Sequence, residues 1–552
     1  MSDALTIVMA QIDPVVGDIK GNIEKLRAVR KEAAKLGADL VVTGELSVTG
    51  YPPEDLVLKP MFQDAAEKAV RAFAAETADG GPALLAGAPW RENGKLYNAA
   101  ILLDGGALGG VRLKHALPNY GVFDEVRVFA VGPLPGPIPF RGVRLGVMIC
   151  EDMWYPDVAE CLQESGAEFL IVLNGSPFDI DKKDVRLSLA VARVTETGLP
   201  LMYVNQVGGQ DELVFDGASF VLGADRGLRV QAPSFVERLA PTRWQRNGQG
   251  GWDCAPGEIV PELSDNEAVY RAMVLGLRDY VNKNGFPGVL IGMSGGIDSA
   301  LSAAVAVDAL GPQRVHGVRM PSRFTSQASL DDAAECCALL GMECRTTPIE
   351  PAFNALLDML APAFLGRKPD ATEENIQARV RGVILMALSN KFGDMVLTTG
   401  NKSEMSVGYA TLYGDMCGGY SVLKDVYKTT VYALGHWRNR AWFDGMLGPK
   451  GRVIPENIFT KAPTAELREN QTDQDSLPPY AVLDDILQGL IEGEAPIEEI
   501  VARGHDPETV ARVWRMLDIA EYKRRQAPPG VKLTRRSFGK DRRYPITNRF
   551  RG

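Results

Sequence analysis

The octapeptide GMSGGIDS at residues 292–299 limits the folds open to this chain more than any other segment. An apolar run at 288–291 precedes it with the character of a buried parallel strand, and small helix-forming residues follow it at 300–306. A strand, a Gly/Ser turn and a helix N-terminus together present backbone N–H groups and a positive dipole end to an anion. The sequence therefore predicts a phosphate-binding loop in an α/β domain.

The residue types in this loop suit phosphate and metal binding. Gly295 and Gly296 let the backbone approach a phosphate, Ser294 and Ser299 add hydroxyl donors, and Asp298 supplies a carboxylate for Mg²⁺ beside the phosphates. A Walker A loop is excluded because no Gly-Lys-Ser/Thr follows, and an ordinary glycine-rich turn is the alternative. The predicted ATP-binding residues are Gly292, Met293, Ser294, Gly295, Gly296, Ile297, Asp298 and Ser299.

Length and composition indicate a globular protein of two or three domains. The chain has 552 residues, 45% hydrophobic and 24% charged, and its net charge of −10 argues against nucleic-acid or membrane-surface binding. No run approaches the apolar length of a membrane span, and the start MSDALTIVMAQIDP lacks a secretory signal pattern. The seven cysteines have no CxxC spacing, so neither a disulfide framework nor structural zinc is indicated, and we expect a cytoplasmic protein.

The chain contains two blocks of alternating strand-like and helix-like pattern. The first block, residues 1–240, predicts a layered α/β domain. The polar, glycine-rich stretch within 241–264 predicts a linker. The second block, 265–552, opens with a predicted helix and has the pattern of a doubly wound parallel sheet with its ligand loop at a strand end.

A second set of polar residues follows the predicted strand at 394–397. As side chains alone, Lys402 could neutralise charge on a polyphosphate and Glu404 could join Asp298 as a Mg²⁺ ligand, although such residues are more often ordinary surface groups.

Longer motifs make the second block similar to a known family. SGGIDS resembles the pyrophosphate loop of the N-type ATP pyrophosphatases, which have a Rossmann-like fold of the adenine nucleotide alpha hydrolase type. The stretch TGNKSEMSVGYATLYGDMCGGYSVLKDVYKT at 399–429 and EENIQARVRG at 373–382 resemble the NAD synthetases. This resemblance implies that Thr399 contacts ATP, and that Asp298 and Glu404 bind Mg²⁺.

The same resemblance implies a binding site for deamido-NAD shared between two subunits. Asn375 and Arg379 would contact this dinucleotide across a dimer, together with Glu404 and Lys523. Lys523 begins a basic tail, for which a solvated terminus and a nucleic-acid arm are alternatives. We expect a homo-oligomer built on synthetase-domain dimers.

The first block contains candidates for a cysteine-dependent amidase. Cys150 ends a predicted strand, and although a lone cysteine is usually a small buried hydrophobe, a nucleophilic thiolate needs a nearby cation and base. Lys114 can supply the cation and Glu45 the base. GELSVTGYPPEDL, KHALPNYGVFDEVRVF and GVMICEDMW resemble the nitrilase-type amidases, which implies an α-β-β-α sandwich fold.

The nitrilase resemblance assigns roles residue by residue. It implies Glu45 as base, Lys114 as the group that stabilises the tetrahedral intermediate, Cys150 as nucleophile and Glu125 as a supporting glutamate. Glutamine would be held by Tyr120, Ser176 and Lys182, with Lys183 or Arg186 as alternatives to Lys182.

Both resemblances together imply a ligase that uses glutamine and ATP to convert deamido-NAD to NAD. Another SGGxDS amidating enzyme, such as a GMP or asparagine synthetase, and an inactive nucleotide-binding regulator are the alternatives. The combination of Glu45, Lys114 and Cys150 disfavours the first alternative, and intact Asp298 and Glu404 disfavour the second.

Overall fold

The protein is described by a computed structural model that covers residues 3–248 and 250–550, without the side chain of Lys183. The chain divides into two compact units, Met1–Leu263 and Ser264–Gly552. Within the described residues, no helix is long and apolar enough to span a membrane.

In its described residues, the first unit consists mainly of strands with four α-helices. Its strands are β1 (Ala4–Gln11), β2 (Leu40–Thr43), β3 (Ala83–Glu92), β4 (Lys95–Asp104), β5 (Ala107–Leu113), β6 (Ile138–Phe140), β7 (Val143–Ile149), β8 (Phe169–Asn174), β9 (Leu201–Asn205), β10 (Val207–Gln210), β11 (Leu213–Asp216), β12 (Phe220–Leu222), β13 (Leu228–Gln231), β14 (Arg238–Arg246) and β15 (Trp252–Cys254). Its helices are α1 (Ile19–Lys35), α2 (Pro60–Glu76), α3 (Pro156–Glu164) and α4 (Lys182–Thr197).

Two mixed sheets form the centre of this unit. One has seven strands in the order β15-β14-β1-β2-β3-β4-β5, and the other has six in the order β13-β12-β9-β8-β7-β6. Apolar side chains from both sheets, including Ile7, Val42, Val147 and Ile171, form one buried core cluster. Alternate side chains of the seven-stranded sheet, such as Val8, pack with α1 and α2, and the other sheet packs with α3 and α4. The predicted α-β-β-α sandwich is confirmed.

The predicted linker at 241–264 is wrong over its first part. β14 pairs antiparallel with β1 from Arg238 to Gln245, and β15 pairs with β14. Trp244 and Trp252 are fully buried, and Trp244 stacks on Phe169 at 4.5 Å between ring centroids. Buried and exposed positions alternate in β14, but a glycine-rich stretch follows this strand and favours the interpretation as a linker.

The second unit contains one parallel sheet and most of the helices. Its strands are β16 (Val289–Gly292), β17 (Val315–Arg319), β18 (Glu343–Thr346), β19 (Met395–Thr398) and β20 (Tyr420–Ser421). Its helices are α5 (Asp265–Lys283), α6 (Ile297–Leu310), α7 (Gln327–Leu340), α8 (Glu350–Leu360), α9 (Ala371–Phe392), α10 (Lys402–Val407), α11 (Lys428–Arg438), α12 (Glu456–Thr460), α13 (Tyr480–Ile491), α14 (Ile497–Ala502), α15 (Pro507–Ile519) and α16 (Glu521–Arg524).

The strands of this sheet are parallel and lie in the order β18-β17-β16-β19-β20. On one face of the sheet, Leu290 and Val396 pack with Leu385 of α9. Helix α6 packs against the sheet through a run of small, buried side chains. A parallel sheet covered by helices explains why its strands read as continuous apolar runs. The predicted doubly wound domain is confirmed, and its carboxyl edge carries the phosphate loop.

Candidate active sites

In the first unit, four predicted residues come together in a set that we call the Cys150 cluster: Glu45, Lys114, Glu125 and Cys150. Glu45 follows β2, Lys114 follows β5, and Cys150 follows β7 of the other sheet. Glu125 begins a short 3-10 helix, Glu125–Arg127. The side chains of Glu45 and Lys114 are fully buried.

The ammonium of Lys114 joins the two glutamates of the Cys150 cluster. Lys114 Nζ donates to Glu45 Oε1 at 2.6 Å and to the two oxygens of Glu125 at 2.8 and 3.0 Å. Burial opposes its charge, but the neighbouring Glu125 and Glu45 carboxylates raise the pKa of Lys114 well above its ordinary value. Lys114 is therefore a fixed cation.

Uncharged donors complete the bonding of both glutamates. Asn98 Nδ2 donates to Glu45 Oε1 at 2.7 Å, and the Gly175 N–H donates to Glu45 Oε2 at 3.0 Å. The Tyr51 hydroxyl donates to Glu125 Oε1 at 2.8 Å. These contacts fix both carboxylates before any ligand arrives.

Cys150 occupies a strained turn at the start of a 3-10 helix, with φ of +45°. Burial and the nearby charge of Glu45 raise the pKa of its thiol well above the ordinary value, although Lys114 acts in the opposite direction. The resting side chain is therefore a thiol and not a thiolate, so a base must remove its proton before it attacks.

The predicted glutamine-binding residues lie around this cluster. The Tyr120 hydroxyl donates to Glu151 at 3.0–3.1 Å, and Ser176 is buried with its N–H donating to Asn205 Oδ1. Lys182 Nζ lies 5.1 Å from the centroid of the Phe123 ring.

The two alternatives to Lys182 have different outcomes. The guanidinium of Arg186 donates five hydrogen bonds, to Ser176 Oγ, both oxygens of Asp216 and the carbonyls of Ser176 and Pro177. Arg186 is thus buried and bonded within the protein, and its use for glutamine stays a prediction. The side chain of Lys183 lies outside the described part of the chain.

In the second unit, the phosphate loop and the ends of β16, β17 and β19 surround a cavity of about 300 Å³. Gly295 has φ of +81°, and a Cβ atom there would lie 2.2 Å from the Ser329 carbonyl oxygen, so the loop conformation requires glycine. The Ser294 N–H and hydroxyl both contact Ser299 Oγ at the first turn of α6. The predicted ATP-binding residues that line the cavity are Gly292, Met293, Ser294, Gly296, Ile297, Asp298, Ser299 and Thr399.

The two predicted metal ligands converge on one lysine that the sequence analysis missed. Lys428 Nζ donates to Asp298 Oδ2 and, at 3.1 Å, to Glu404 Oε1. Asn401 Nδ2 donates to Asp298 Oδ1 at 2.8 Å. Burial raises the pKa of Glu404 to about 7, with the charge of Asp298 adding to the rise against the opposing charge of Lys428.

These residues fit a divalent cation that also binds phosphate oxygens. Within the described residues, no group of three or more His, Cys, Asp or Glu side chains is placed to hold a metal. Mg²⁺ commonly takes one or two carboxylates and completes its shell with phosphates and water. The pair Asp298 and Glu404, beside a phosphate loop, matches that donor set.

Further charged residues of the cavity were also missed. Lys461 Nζ contacts the Gly295 carbonyl at 3.0 Å and Asp332 Oδ2 at 3.0 Å. Arg381 lies on the wall formed by α9, and burial lowers its pKa to about 10. Lys428 falls inside the motif at 399–429, so that motif was the available signal for this residue.

Lys402 does not face the cavity, contrary to the expectation from its position after a strand. Its side chain is fully buried and donates to Asp425 Oδ1 at 2.7 Å, Glu492 Oε1 at 2.5 Å and Thr534 Oγ1 at 2.7 Å. Because α10 starts at Lys402, its side chain points to the opposite side of the helix from Glu404.

Of the predicted dinucleotide ligands, Glu404 lines this cavity, whereas Asn375, Arg379 and Lys523 are not among its lining residues. Asn375 Oδ1 accepts from Thr411 at 2.9 Å, and the exposed Arg379 donates to the Leu412 carbonyl at 3.2 Å. Lys523 Nζ donates to the carbonyls of Gly408 and Ala410, both at 2.7 Å, so it holds the chain that follows α10.

Two family models match the chain, one for each unit. The carbon-nitrogen hydrolase model matches residues 6–247, and the NAD synthase model matches residues 269–527. The fold, the Cys150 cluster and the phosphate-loop cavity agree with this pairing. The chain is thus a ligase in which an amidohydrolase unit precedes a nucleotide-dependent unit.

Full-length relatives make the family specific. The glutamine-dependent NAD(+) synthetase of Rhodobacter capsulatus is 52% identical over 551 residues, covering 100% of both chains, and that of Thermotoga maritima is 44% identical over 99% of both. The structure of glutamine-dependent NAD+ synthetase from Acinetobacter baumannii with adenosine diphosphate is 42% identical, with a TM-score of 0.79 and 99% coverage of both chains. The chain belongs to the family of glutamine-dependent NAD(+) synthetases.

Proposed function

We propose that the chain hydrolyses glutamine in its first unit and uses the ammonia to convert deamido-NAD to NAD in its second unit, with ATP cleaved to AMP and diphosphate. The observation that carries this proposal is the presence of both the Cys150 cluster and the phosphate-loop cavity in one chain. We assign amidohydrolysis to Met1–Leu263 and synthesis to Ser264–Gly552.

In the first unit, Glu45 takes the proton of the Cys150 thiol as the sulfur attacks the amide carbon of glutamine. A base is needed because burial keeps Cys150 protonated. Lys114 offsets the negative charge that develops on the amide oxygen. Ammonia leaves with a proton returned by Glu45, and water then hydrolyses the thioester to glutamate, again with Glu45 as base.

Glu125 keeps Lys114 charged and in place, and we assign glutamine binding to Tyr120, Ser176 and Lys182. Tyr120 and Lys182 approach from segments next to Glu151 and Phe123, near the Cys150 turn.

In the second unit, the nicotinate carboxylate of deamido-NAD attacks the α-phosphorus of ATP, and diphosphate leaves. Ammonia attacks the carbonyl of the resulting acyl-adenylate, AMP leaves, and the nitrogen loses a proton to give the carboxamide. The loop at 292–299 and Thr399 bind ATP, while Lys428 and Lys461 offset phosphate charge. Adenosine diphosphate in the Acinetobacter baumannii structure supports nucleotide binding here.

Asp298 and Glu404 would hold Mg²⁺, which when bound neutralises the phosphates and the leaving diphosphate. Lys428 already balances part of the charge of both carboxylates, and it orients them toward one point.

The cysteine pattern supports a cytoplasmic location.

The deciding experiment supplies deamido-NAD, ATP, Mg²⁺ and glutamine and follows NAD, AMP and glutamate. We expect one NAD and one AMP for each glutamate, and no NAD when glutamine and ammonium are both omitted. A GMP or asparagine synthetase would instead leave deamido-NAD unchanged.

We also propose that synthetase units pair as a homodimer in which Asn375 and Arg379 of one subunit reach the dinucleotide of the other. The outer face of α9 supports this proposal, since Val383 is 68% exposed and Met386 is 38% exposed there. Light scattering should give at least twice the 59.8 kDa chain mass. A fully active monomer at assay concentration would contradict the pairing.

A further inference from the structure

We propose that Asp152 is a positioning residue of the glutaminase site, which ties the Lys114 segment of one sheet to the Cys150 turn of the other. This inference rests on the proposed function, because it concerns how the two reacting groups are held together. It adds a residue to which the Glu-Lys-Cys resemblance gives no role.

Asp152 contacts both catalytic segments through backbone donors. Its Oδ1 accepts from the N–H groups of His115 at 3.0 Å and Ala116 at 2.7 Å, the two residues after Lys114. Its Oδ2 accepts from the Ile149 N–H at 3.0 Å, the residue before Cys150. The carboxylate is 1% exposed, so these three bonds are shielded from water.

The architecture explains why the Lys114 segment and the Cys150 turn need a direct connection. Lys114 follows β5, the last strand of the seven-stranded sheet, whereas Cys150 follows β7 of the six-stranded sheet. Between the sheets, the core cluster is formed by apolar side chains, whose packing does not fix relative position as directionally as hydrogen bonds do. Asp152 supplies directional bonds that cross from one sheet's loop to the other's turn.

The same carboxylate also holds the strained conformation of the nucleophile. Cys150 has φ of +45°, and the Ile149 N–H bond to Asp152 closes the turn around it. An ionised carboxylate has lone pairs for all three N–H donors, whereas an amide would turn its own NH₂ toward at least one of them. Burial raises the pKa of Asp152, and the three backbone bonds oppose that rise.

The test compares Asp152→Asn, Asp152→Glu and a control, Asp157→Asn, in the full chain. Asp157 lies exposed in the first turn of α3, five residues beyond Asp152. We measure kcat and KM for glutamine hydrolysis, and ammonia-driven NAD formation in the same preparations. The rate of Cys150 alkylation by iodoacetamide is followed against pH, with the modified peptide identified by mass.

For Asp152→Asn we expect kcat for glutamine to fall about 100-fold, the effect of a misplacement near 1 Å. KM for glutamine should change less than about threefold, and ammonia-driven synthesis should stay within about twofold, since the other unit is untouched. Asp152→Glu keeps the charge but moves it by one methylene, so it should remain at least about tenfold impaired. Asp157→Asn should match wild type.

The pH profile of Cys150 alkylation distinguishes a displaced Lys114 from the simple loss of a negative charge at Asp152. Glu45, Lys114, Glu151 and Glu125 face the Cys150 thiol, and of these only Lys114 favours the thiolate. If Asp152 holds Lys114 in place, the Asp152→Asn substitution moves the alkylation profile to higher pH. Loss of a neighbouring negative charge alone would move it to lower pH.

Several results would overturn the proposal. The first two are a near-wild-type kcat for glutamine in Asp152→Asn and full activity in Asp152→Glu. The third is an alkylation profile of Asp152→Asn that moves to lower pH. The fourth is loss of ammonia-driven synthesis in Asp152→Asn, which would assign Asp152 to general folding. Wild type that fails to hydrolyse glutamine would remove the proposed function, while a shifted alkylation profile in the variant would still support the positioning role.

Discussion

Lys114 in the first unit and Lys428 in the second are both buried lysines that bind two carboxylates, but their surroundings differ. Around Lys114, the carboxylates also receive bonds from Asn98, Gly175 and Tyr51, so the protein itself satisfies them. Lys428 and its carboxylates line a cavity of about 300 Å³ together with the phosphate loop.

This difference corresponds to the chemistry that we propose for each site. An amide carbon carries no charge when it arrives, so the Cys150 cluster must be charge-balanced in advance and rigid. A triphosphate with a cation brings large charges of its own, so the second site needs groups that change partners when the ligand binds. The following predictions test whether the two sites are independent and how each handles buried charge.

The largest effect is expected for Cys150→Ala. Glutamine-driven NAD formation should fall by at least about 10⁴-fold, because the nucleophile is lost, while ammonia-driven formation stays within about twofold. Both rates are measured as NAD produced from deamido-NAD and ATP. Cys161→Ala, in the helix that follows the turn, is the matched control and should keep both activities. Loss of ammonia-driven synthesis in folded Cys150→Ala would break the division between the units.

Asp298→Ala should lower synthesis by about 10³-fold with either nitrogen source, because charge on the leaving diphosphate is no longer offset. Glutamate release from glutamine should remain measurable, since the Cys150 cluster is intact. Asp358→Ala, at an exposed position of α8, is the control for an aspartate of the same unit. Near-normal synthesis by Asp298→Ala would reduce the loop at 292–299 to a structural turn.

The sequence could predict the parts of the molecule that depend on local pattern. The strand, glycine turn and helix around Asp298 form a continuous signal, and the helix predicted to open the second block is observed as α5. Cys150 was a candidate because it ends a predicted strand, and the nitrilase resemblance added Glu45 and Lys114 before any contact was known.

The rest depends on which elements become neighbours. Lys402 and Lys428 are each the first residue of a helix, yet one lies among Asp425 and Glu492 and the other among Asp298 and Glu404. Asp152 could not be assigned because two of its three donors lie 36 and 37 residues away in the chain. Which residues become hydrogen-bond or ion-pair partners is set by tertiary packing and not by the local sequence pattern.

Lys402→Met tests this distinction between a structural and a ligand-facing lysine. Removal of the ammonium leaves Asp425 and Glu492 without their shared cation, and a broken buried pair costs about 3–5 kcal/mol. We expect a clear loss in the free energy of unfolding, followed by denaturant titration, whereas Lys428→Met should lose synthesis with a smaller loss of stability. Lys391→Met, at an exposed position of α9, is the control. A Lys402→Met protein as stable as wild type would contradict the structural role.

The smallest effect is a pH dependence caused by Glu404. Burial raises its pKa from 4.5 to about 7 in the folded chain, so the folded state binds this proton more tightly than the unfolded state. Its contribution to stability is therefore present below pH 4.5 and is lost as the pH rises through about 7. Glu404→Gln removes that dependence, so the difference in unfolding free energy between wild type and variant should fall by up to about 3 kcal/mol over this interval. Denaturant titrations of both proteins at several pH values measure it. A difference that stays constant with pH would mean that burial does not raise the pKa of Glu404, and the contrast between the two sites would then rest on the cavity alone.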